Sequence, residues 1–136
     1  DLGFEGLMKA AKLDPGCVNR DITPGHFPIQ GKGIRNVDLE LYEFDEMVTG
    51  EEAAQKIEQD GYVNEDLPAL FTFGANHPVE QRRRPVVALA SRWQGRDRDV
   101  LVPCLGEDCA ERDLDLCWFG LGFGQGFRFL VSRKTK

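Results

Sequence analysis

The chain has 136 residues, 41% of them apolar, which suits a single domain with a real hydrophobic core. Its formal net charge of −6 speaks against a nucleic-acid binder that holds phosphates by counterion release. It holds no run of about 18 apolar residues that could span a membrane as a helix.

Residues 1–33 read as an N-terminal arm or linker ahead of a domain at 34–136. Phe4, Leu7, Met8 and Ala11 recur at helical spacing, and Asp14-Pro15-Gly16 stops that short helix. Its apolar face needs a surface to pack on, either its own domain or a neighbouring subunit. Thr23-Pro24-Gly25 and Gly31-Lys32-Gly33 then break any regular element. From Val37 to Phe44, Val37, Leu39 and Leu41 alternate with Asp38, Glu40 and Tyr42, the period of a half-buried strand.

Thr49-Gly50-Glu51-Glu52 predicts a capping box that opens a helix to about Asp60, with Gly61 as its left-handed C-terminal cap. Asp66 caps a second predicted helix that opens on Leu67-Pro68, places Leu67, Leu70, Phe71 and Gly74 on one side, and ends at Asn76-His77-Pro78. Arg82, Arg83 and Arg84 read as a solvated loop before a strand. The continuous apolar run Val86–Ala90 has the length of a strand buried on both faces, and a turn at Gly95-Arg96-Asp97 leads into a returning strand at Val100-Leu101-Val102. Leu114, Leu116 and Trp118 alternate with Asp113, Asp115 and Cys117, so one face is buried and the other wet; Phe127 to Val131 is the last strand.

Cys17, Cys104, Cys109 and Cys117 form no C-x-x-C pair and have no His nearby, so a structural zinc site is not expected, while one disulfide or free thiols both fit. His26 and His77 sit in predicted loops without a Cys or Ser partner at a recognisable spacing, which suits surface or capping roles better than general-base catalysis. The first residues lack the pattern of a signal peptide, and the chain opens on Asp1 without Met, which leaves room for an upstream segment.

An early strand, two helices joined by a short loop, several strands and a closing strand is the element order of the C-type lectin fold. The stretch Ala53–Gly74 resembles the paired-helix region of lectin-fold proteins related to formylglycine-generating enzymes. The ending Trp118-Phe119 through Gly126-Phe127-Arg128-Phe129-Leu130 is similar to the closing Gly-Phe-Arg strand of those proteins and of the variable proteins of diversity-generating retroelements. From Val37 to Lys134 the chain resembles such a variable protein, of the kind found in archaea, small-genome bacteria and their viruses.

The resemblance implies an α+β C-type lectin fold, two helices packed on a mostly antiparallel twisted sheet. It also implies a soluble, non-enzymatic binding protein without cofactor or metal, reaching a cell surface or virion through an upstream segment. The partner is a protein or other macromolecular ligand, met through a hypervariable region at residues 92–127; no nucleic acid is expected. In that family adenines of a template copy are randomised, so that Asn codons become codons for a set including Cys, Gly, Asp, Arg, Leu and Phe. From Arg92 to Phe129 there is no Asn, Lys, Met, Ile, Thr, Tyr or His.

Variation of this kind must avoid the core, where truncations cost about 2 to 5 kcal/mol while surface changes usually stay within about 0.5 kcal/mol. Leu114, Leu116, Trp118, Phe127 and Phe129 are the expected fixed scaffold. Asp113, Asp115, Cys117, Gly120, Leu121, Gly122, Gly124 and Gly126 are the expected exposed read-out, with Arg98, Cys104, Leu105, Cys109 and Arg112 as further candidates. Gln94, Glu107, Glu111 and Gln125 fall outside the codon set. The glycines have a second reading, as loop positions that need positive φ. A read-out so rich in Gly also implies weak binding by this copy.

Two other classes stay in view. A formylglycine-generating-type enzyme would need a cysteine pair from Cys104, Cys109 and Cys117, whose spacing matches no such motif. A non-diversified attachment or carbohydrate-binding module would share the fold, but the Glu-Pro-Asn, Gln-Pro-Asp and Trp-Asn-Asp motifs of calcium-dependent lectins are missing, and Glu107-Asp108 reads as surface charge.

Overall fold

The computed structural model describes residues 3–28, 38–95, 98–108, 111–120 and 122–134. In chain order the elements are α1 (Phe4–Ala10), β1 (Leu39–Glu43), β2 (Val48–Thr49), α2 (Gly50–Gln59), β3 (Tyr62–Asn64), α3 (Leu67–Asn76), α4 (Glu80–Arg83), β4 (Val86–Val87), β5 (Trp93–Gln94), β6 (Val100–Asp108), β7 (Glu111–Trp118), β8 (Gly122–Phe123) and β9 (Arg128–Arg133). The chain is thus α+β, with four α-helices among the described residues and a mostly antiparallel mixed sheet. No helix among them is long and apolar enough to cross a membrane.

Local chemistry places the helices. The Thr49 N–H donates to Glu52 Oε1 at 2.9 Å and the Glu52 N–H to Thr49 Oγ1 at 3.1 Å, the reciprocal bonds of a capping box. Gly61 ends the turn after α2 at φ +90°, where a side chain would be strained. Asp66 accepts from the Ala69 N–H at 3.1 Å and Pro68 sits in the first turn of α3, where its missing N–H costs nothing.

In the main sheet β9 has β1 on one side and β3 and β4 on the other; β6 has β4 and β5 on one side and β7 on the other. Among the pairings of the described strands only β4–β9 is parallel, and β2 with β8 makes a separate antiparallel pair. Consecutive residues at Val86–Leu89 are all buried but point into different cores: Val86 and Ala88 join α1 and α3, Val87 and Leu89 join α2. The run is apolar throughout because both of its faces are covered. On β9, Leu130 serves the first core and Phe129 and Val131 the second.

Two sequence expectations are corrected here. The described part of the supposed arm is not an arm: Phe4, Ala11, Leu13, Ile22 and Phe27 are buried in the first core, and the Phe4 ring meets Phe71 edge-on at 5.5 Å. The apolar face of α1 therefore packs on its own chain. The arginine run is not a plain loop either: Arg82 and Arg83 close α4, Arg82 pairs with Glu107, and Arg84 pairs with Glu43 at 2.6 Å. Val37, Gly31-Lys32-Gly33 and Arg96-Asp97 lie outside the described residues.

Three glutamates are held below the usual carboxylate range by hydrogen bonds to the charged form. Glu52 accepts from the Thr49 backbone, Glu80 from Arg128 and Glu43 from Arg84. Each contributes stability that is present above the unfolded-state value and lost as pH falls through the lowered folded value. The thermal midpoint is therefore expected to fall as pH drops through and below the ordinary carboxylate range. Glu52→Gln should lower that midpoint at neutral pH and leave it unchanged in acid; an equal loss at both would refute the assignment for Glu52.

Candidate functional site

On β7, Leu114, Leu116 and Trp118 share a face as the alternation predicts, but their exposure rises along the strand. Leu114 is fully buried, Leu116 half-buried, and Trp118 is 54% exposed. The packing of α1, α3 and residues 11–27 covers that face only as far as Leu116. Trp118, expected in the scaffold, is instead a surface indole. The register sets Trp93 opposite Leu101 and Leu101 opposite Trp118, so the three stand on one rung across β5, β6 and β7. Residues directly opposite in a sheet point to the same face, so the rung offers an apolar strip flanked by two indoles.

The N-terminal segment completes the site. Val18 bridges Leu114 in parallel, the Asn19 N–H donates to Leu114 O at 2.8 Å, and Asn19 Nδ2 donates to Asp115 Oδ1 at 2.8 Å. Asn19 Oδ1 also accepts from the Asp21 N–H at 2.9 Å, which turns the chain so that Arg20 and Asp21 stand beside the rung. Thr23 Oγ1 accepts from the His26 N–H, and His26 Nδ1 donates to the Asp21 carbonyl at 2.8 Å. The His26 ring stacks on Trp93 at 4.0 Å and 12°, with Phe27 meeting the same indole at 6.5 Å. One face of Trp93 is thereby occupied and its orientation fixed. Arg20, Asp21, Trp93, Gly95, Asp99, Leu101 and Trp118 line a cleft of about 380 Å³.

Other predicted read-out positions are not on the surface. Cys104 and Leu105 are buried, because β6 is flanked by strands on both edges and covered on both faces, with Cys104 in the second core and Leu105 in the first. Arg112 is a half-buried tie: it donates to Gly74 O at 2.9 Å, to Ala11 O at 3.1 Å and to Gln81 Oε1 at 3.1 Å. Cys117 is half-buried against the second core, and a hydrogen bond with the Cys104 thiol lowers its pKa; the same hydrogen bond, with burial, raises that of Cys104. Both are free thiols. Asp113 is half-buried, while Asp115 is exposed but already accepts from Asn19 and from the Leu116 N–H.

The remaining positions are open. Arg98 is exposed at φ +66°. Gly120, Gly124 and Gly126 carry no positive φ, and a Cβ at any of them would meet nothing within 4 Å. The reading of these three as positive-φ loop positions is therefore set aside. Gly122 lies in β8, where a Cβ would meet the side chain of exposed Met47. Of the expected scaffold, Leu114 and Phe129 are buried and Leu116 and Phe127 half-buried against the two cores. Cys109 and Leu121 lie outside the described residues.

Sequence reasoning missed Arg20, Asp21, Asp99 and Leu101, and it took His26 for a surface or capping residue. The turn chemistry of Asn19-Arg20-Asp21 and Thr23-Pro24-Gly25-His26 was the available signal, since Asn and Thr side chains that bond two or three residues ahead mark an ordered loop. No protein-family model, no curated protein and no solved structure matches this chain.

Proposed function

We propose that this chain is a binding protein, not an enzyme, that meets a macromolecular partner through residues 92–127 on a C-type lectin scaffold diversified by a retroelement. The carrying observation is that residues 92–127, about a quarter of the chain, set an exposed indole beside a lined cleft and include Gly120, Gly124 and Gly126, where an added Cβ would meet nothing within 4 Å. Interface hot spots are enriched in Trp, and single surface substitutions are nearly neutral for folding. The element order supports the scaffold: β1 leads through α2 and α3 to the later strands, and the closing β9 returns to pair with β1. Arg98 supports the diversification. Its left-handed backbone suits Asn better than Arg, and Asn is the residue encoded by the template in that family.

The gene's surroundings test this directly. A reverse transcriptase and a near-copy of the 3′ end are expected, with adenine differences at the codons of Arg98, Gly120, Gly124 and Gly126. None is expected at Cys104, Leu105, Arg112, Leu114 or Phe129. A locus with neither feature removes the diversification. At the protein level, Gly120→Ser, Gly124→Ser and Gly126→Ser should each shift the urea unfolding free energy by less than about 0.5 kcal/mol.

A further inference from the structure

We propose that Cys104 and Cys117 form a peroxide-responsive thiol pair, in which a hydroperoxide oxidises Cys117 and Cys104 then closes a reversible disulfide onto it. The assignment stands independently of the binding role proposed above. Both cysteines are free thiols on adjacent strands, and the register sets Cys117 opposite Val102 and Cys104 opposite Asp115. They are therefore diagonal neighbours across the β6–β7 hairpin. Both side chains point to the face that packs on the second core, and the two thiols are hydrogen-bonded to each other. Cys17 stands elsewhere, at the outer edge of β7 beside the bridge from Val18 to Leu114.

Burial and hydrogen bonding give the two sulfurs different roles. Cys104 is buried, whereas Cys117 is half-buried, so a small oxidant from solvent meets Cys117 first. The hydrogen bond from the Cys104 thiol favours the Cys117 thiolate and outweighs burial and the carboxylates of Asp115 and Asp113, which act the other way. A thiolate is the nucleophile in such chemistry. Cys104 gives that hydrogen bond, can also donate to Leu105 O at 3.7 Å, and keeps its proton, so it acts second.

The chemistry balances in two steps. The Cys117 sulfur attacks one peroxide oxygen; an S–O bond forms, the O–O bond breaks, and the departing oxygen takes the proton that Cys117 released and leaves as an alcohol or water. Cys117 is then a sulfenic acid. The Cys104 sulfur attacks it, the S–S bond forms, the S–O bond breaks, and the hydroxyl leaves as water with the Cys104 proton. The thiols give up two electrons and the peroxide takes two. Diagonal Cα atoms stand about 7 to 8 Å apart, whereas a disulfide joins Cα atoms at up to about 6.8 Å. Closure therefore draws β6 and β7 together by about 1 Å, and strained disulfides are the easily reduced, reversible kind. Trp118 follows Cys117 on β7 and stands opposite Leu101, so the exposed indole moves with this shift.

The test treats the reduced whole chain with hydrogen peroxide and maps its thiols by mass spectrometry. Cleavage after Glu107 and Glu111 places Cys104, Cys109 and Cys117 on separate peptides. A Cys104–Cys117 cross-link is expected, together with a shift of the Trp118 indole resonance, and dithiothreitol should reverse both. Cys104→Ser should lose the cross-link and the indole shift while Cys117 accumulates as a sulfenic acid that dimedone traps. Cys117→Ser should lose the cross-link and the dimedone adduct at this site. Mapping the unsubstituted chain decides the pairing even where a variant fails to fold. A cross-link through Cys17 or Cys109 in place of this one overturns the proposal. So does a Cys117 that advances to the sulfinic acid while Cys104 stays reduced, or a pair that peroxide leaves unchanged.

Discussion

Leu105→Ala is expected to destabilise the chain by about 2 to 5 kcal/mol, although its position falls in the segment for which the family resemblance implies variation. Leu105 is fully buried on β6, sits opposite Leu114 on β7 and opposite Val86 on β4, and joins the core under α1 and α3. Its Cδ1 would lie 3.2 Å from a Cβ built on Gly74, so helix and sheet meet closely there and the site cannot collapse easily. The cost therefore belongs at the cavity end of the range, where surrounding atoms relax little. Urea unfolding of Leu105→Ala beside Gly120→Ala gives the measurement. A loss below about 0.5 kcal/mol at Leu105 would return it to the surface class.

Arg112→Ala is expected to cost on the order of 3 kcal/mol, because truncation leaves several partly buried acceptors without a donor. The guanidinium ties three segments together: Gly74 O at the end of α3, Ala11 O after α1, and Gln81 in α4. Gln81 is itself buried and donates to Gly106 O at 2.7 Å and Asp113 O at 3.1 Å, so the tie continues into the β6–β7 hairpin. Burial lowers the Arg112 pKa, and these acceptors offset the lost hydration of its charge. Arg112→Lys keeps the charge but offers a single point donor where a planar fork spans three acceptors, and it should recover less than half of the loss. Hydrogen exchange adds a reading specific to the tie: amides of α1 should lose protection in Arg112→Ala more than those of α2, which packs on the opposite core. Equal effects on the two helices would show that Arg112 acts only through global stability.

The loop that carries Arg20 and Asp21 is fastened to β7 through Leu114 and Asp115, both in the C-terminal third. Exchange of Asp115 would therefore disturb the site from below, which distinguishes it from Gly120, Gly124 and Gly126, where an added side chain meets only solvent. Exposure alone does not make a position free.

Amino-acid order by itself determined the features that rest on neighbours a few residues apart. The Thr49–Glu52 capping box, the left-handed Gly61, the Asp66 cap with Pro68 in the first turn, and the doubly buried run from Val86 are of this kind. Hydrogen bonds spanning three residues, and strand or helix periodicity, leave their mark in any short window of sequence. Tertiary structure alone decided how far each face is covered. The same alternation carries Leu114 into the core and Trp118 into water, because the cover comes from α1, α3 and the segment through Phe27, brought there by contacts from Val18, Asn19 and Arg112 across nearly the whole chain. The family resemblance marked Cys104 and Leu105 as exchangeable, and a codon set could not register that β6 lies between strands on both edges and between cores on both faces. Burial is set by what packs above a strand, and that cover comes from residues far away along the chain.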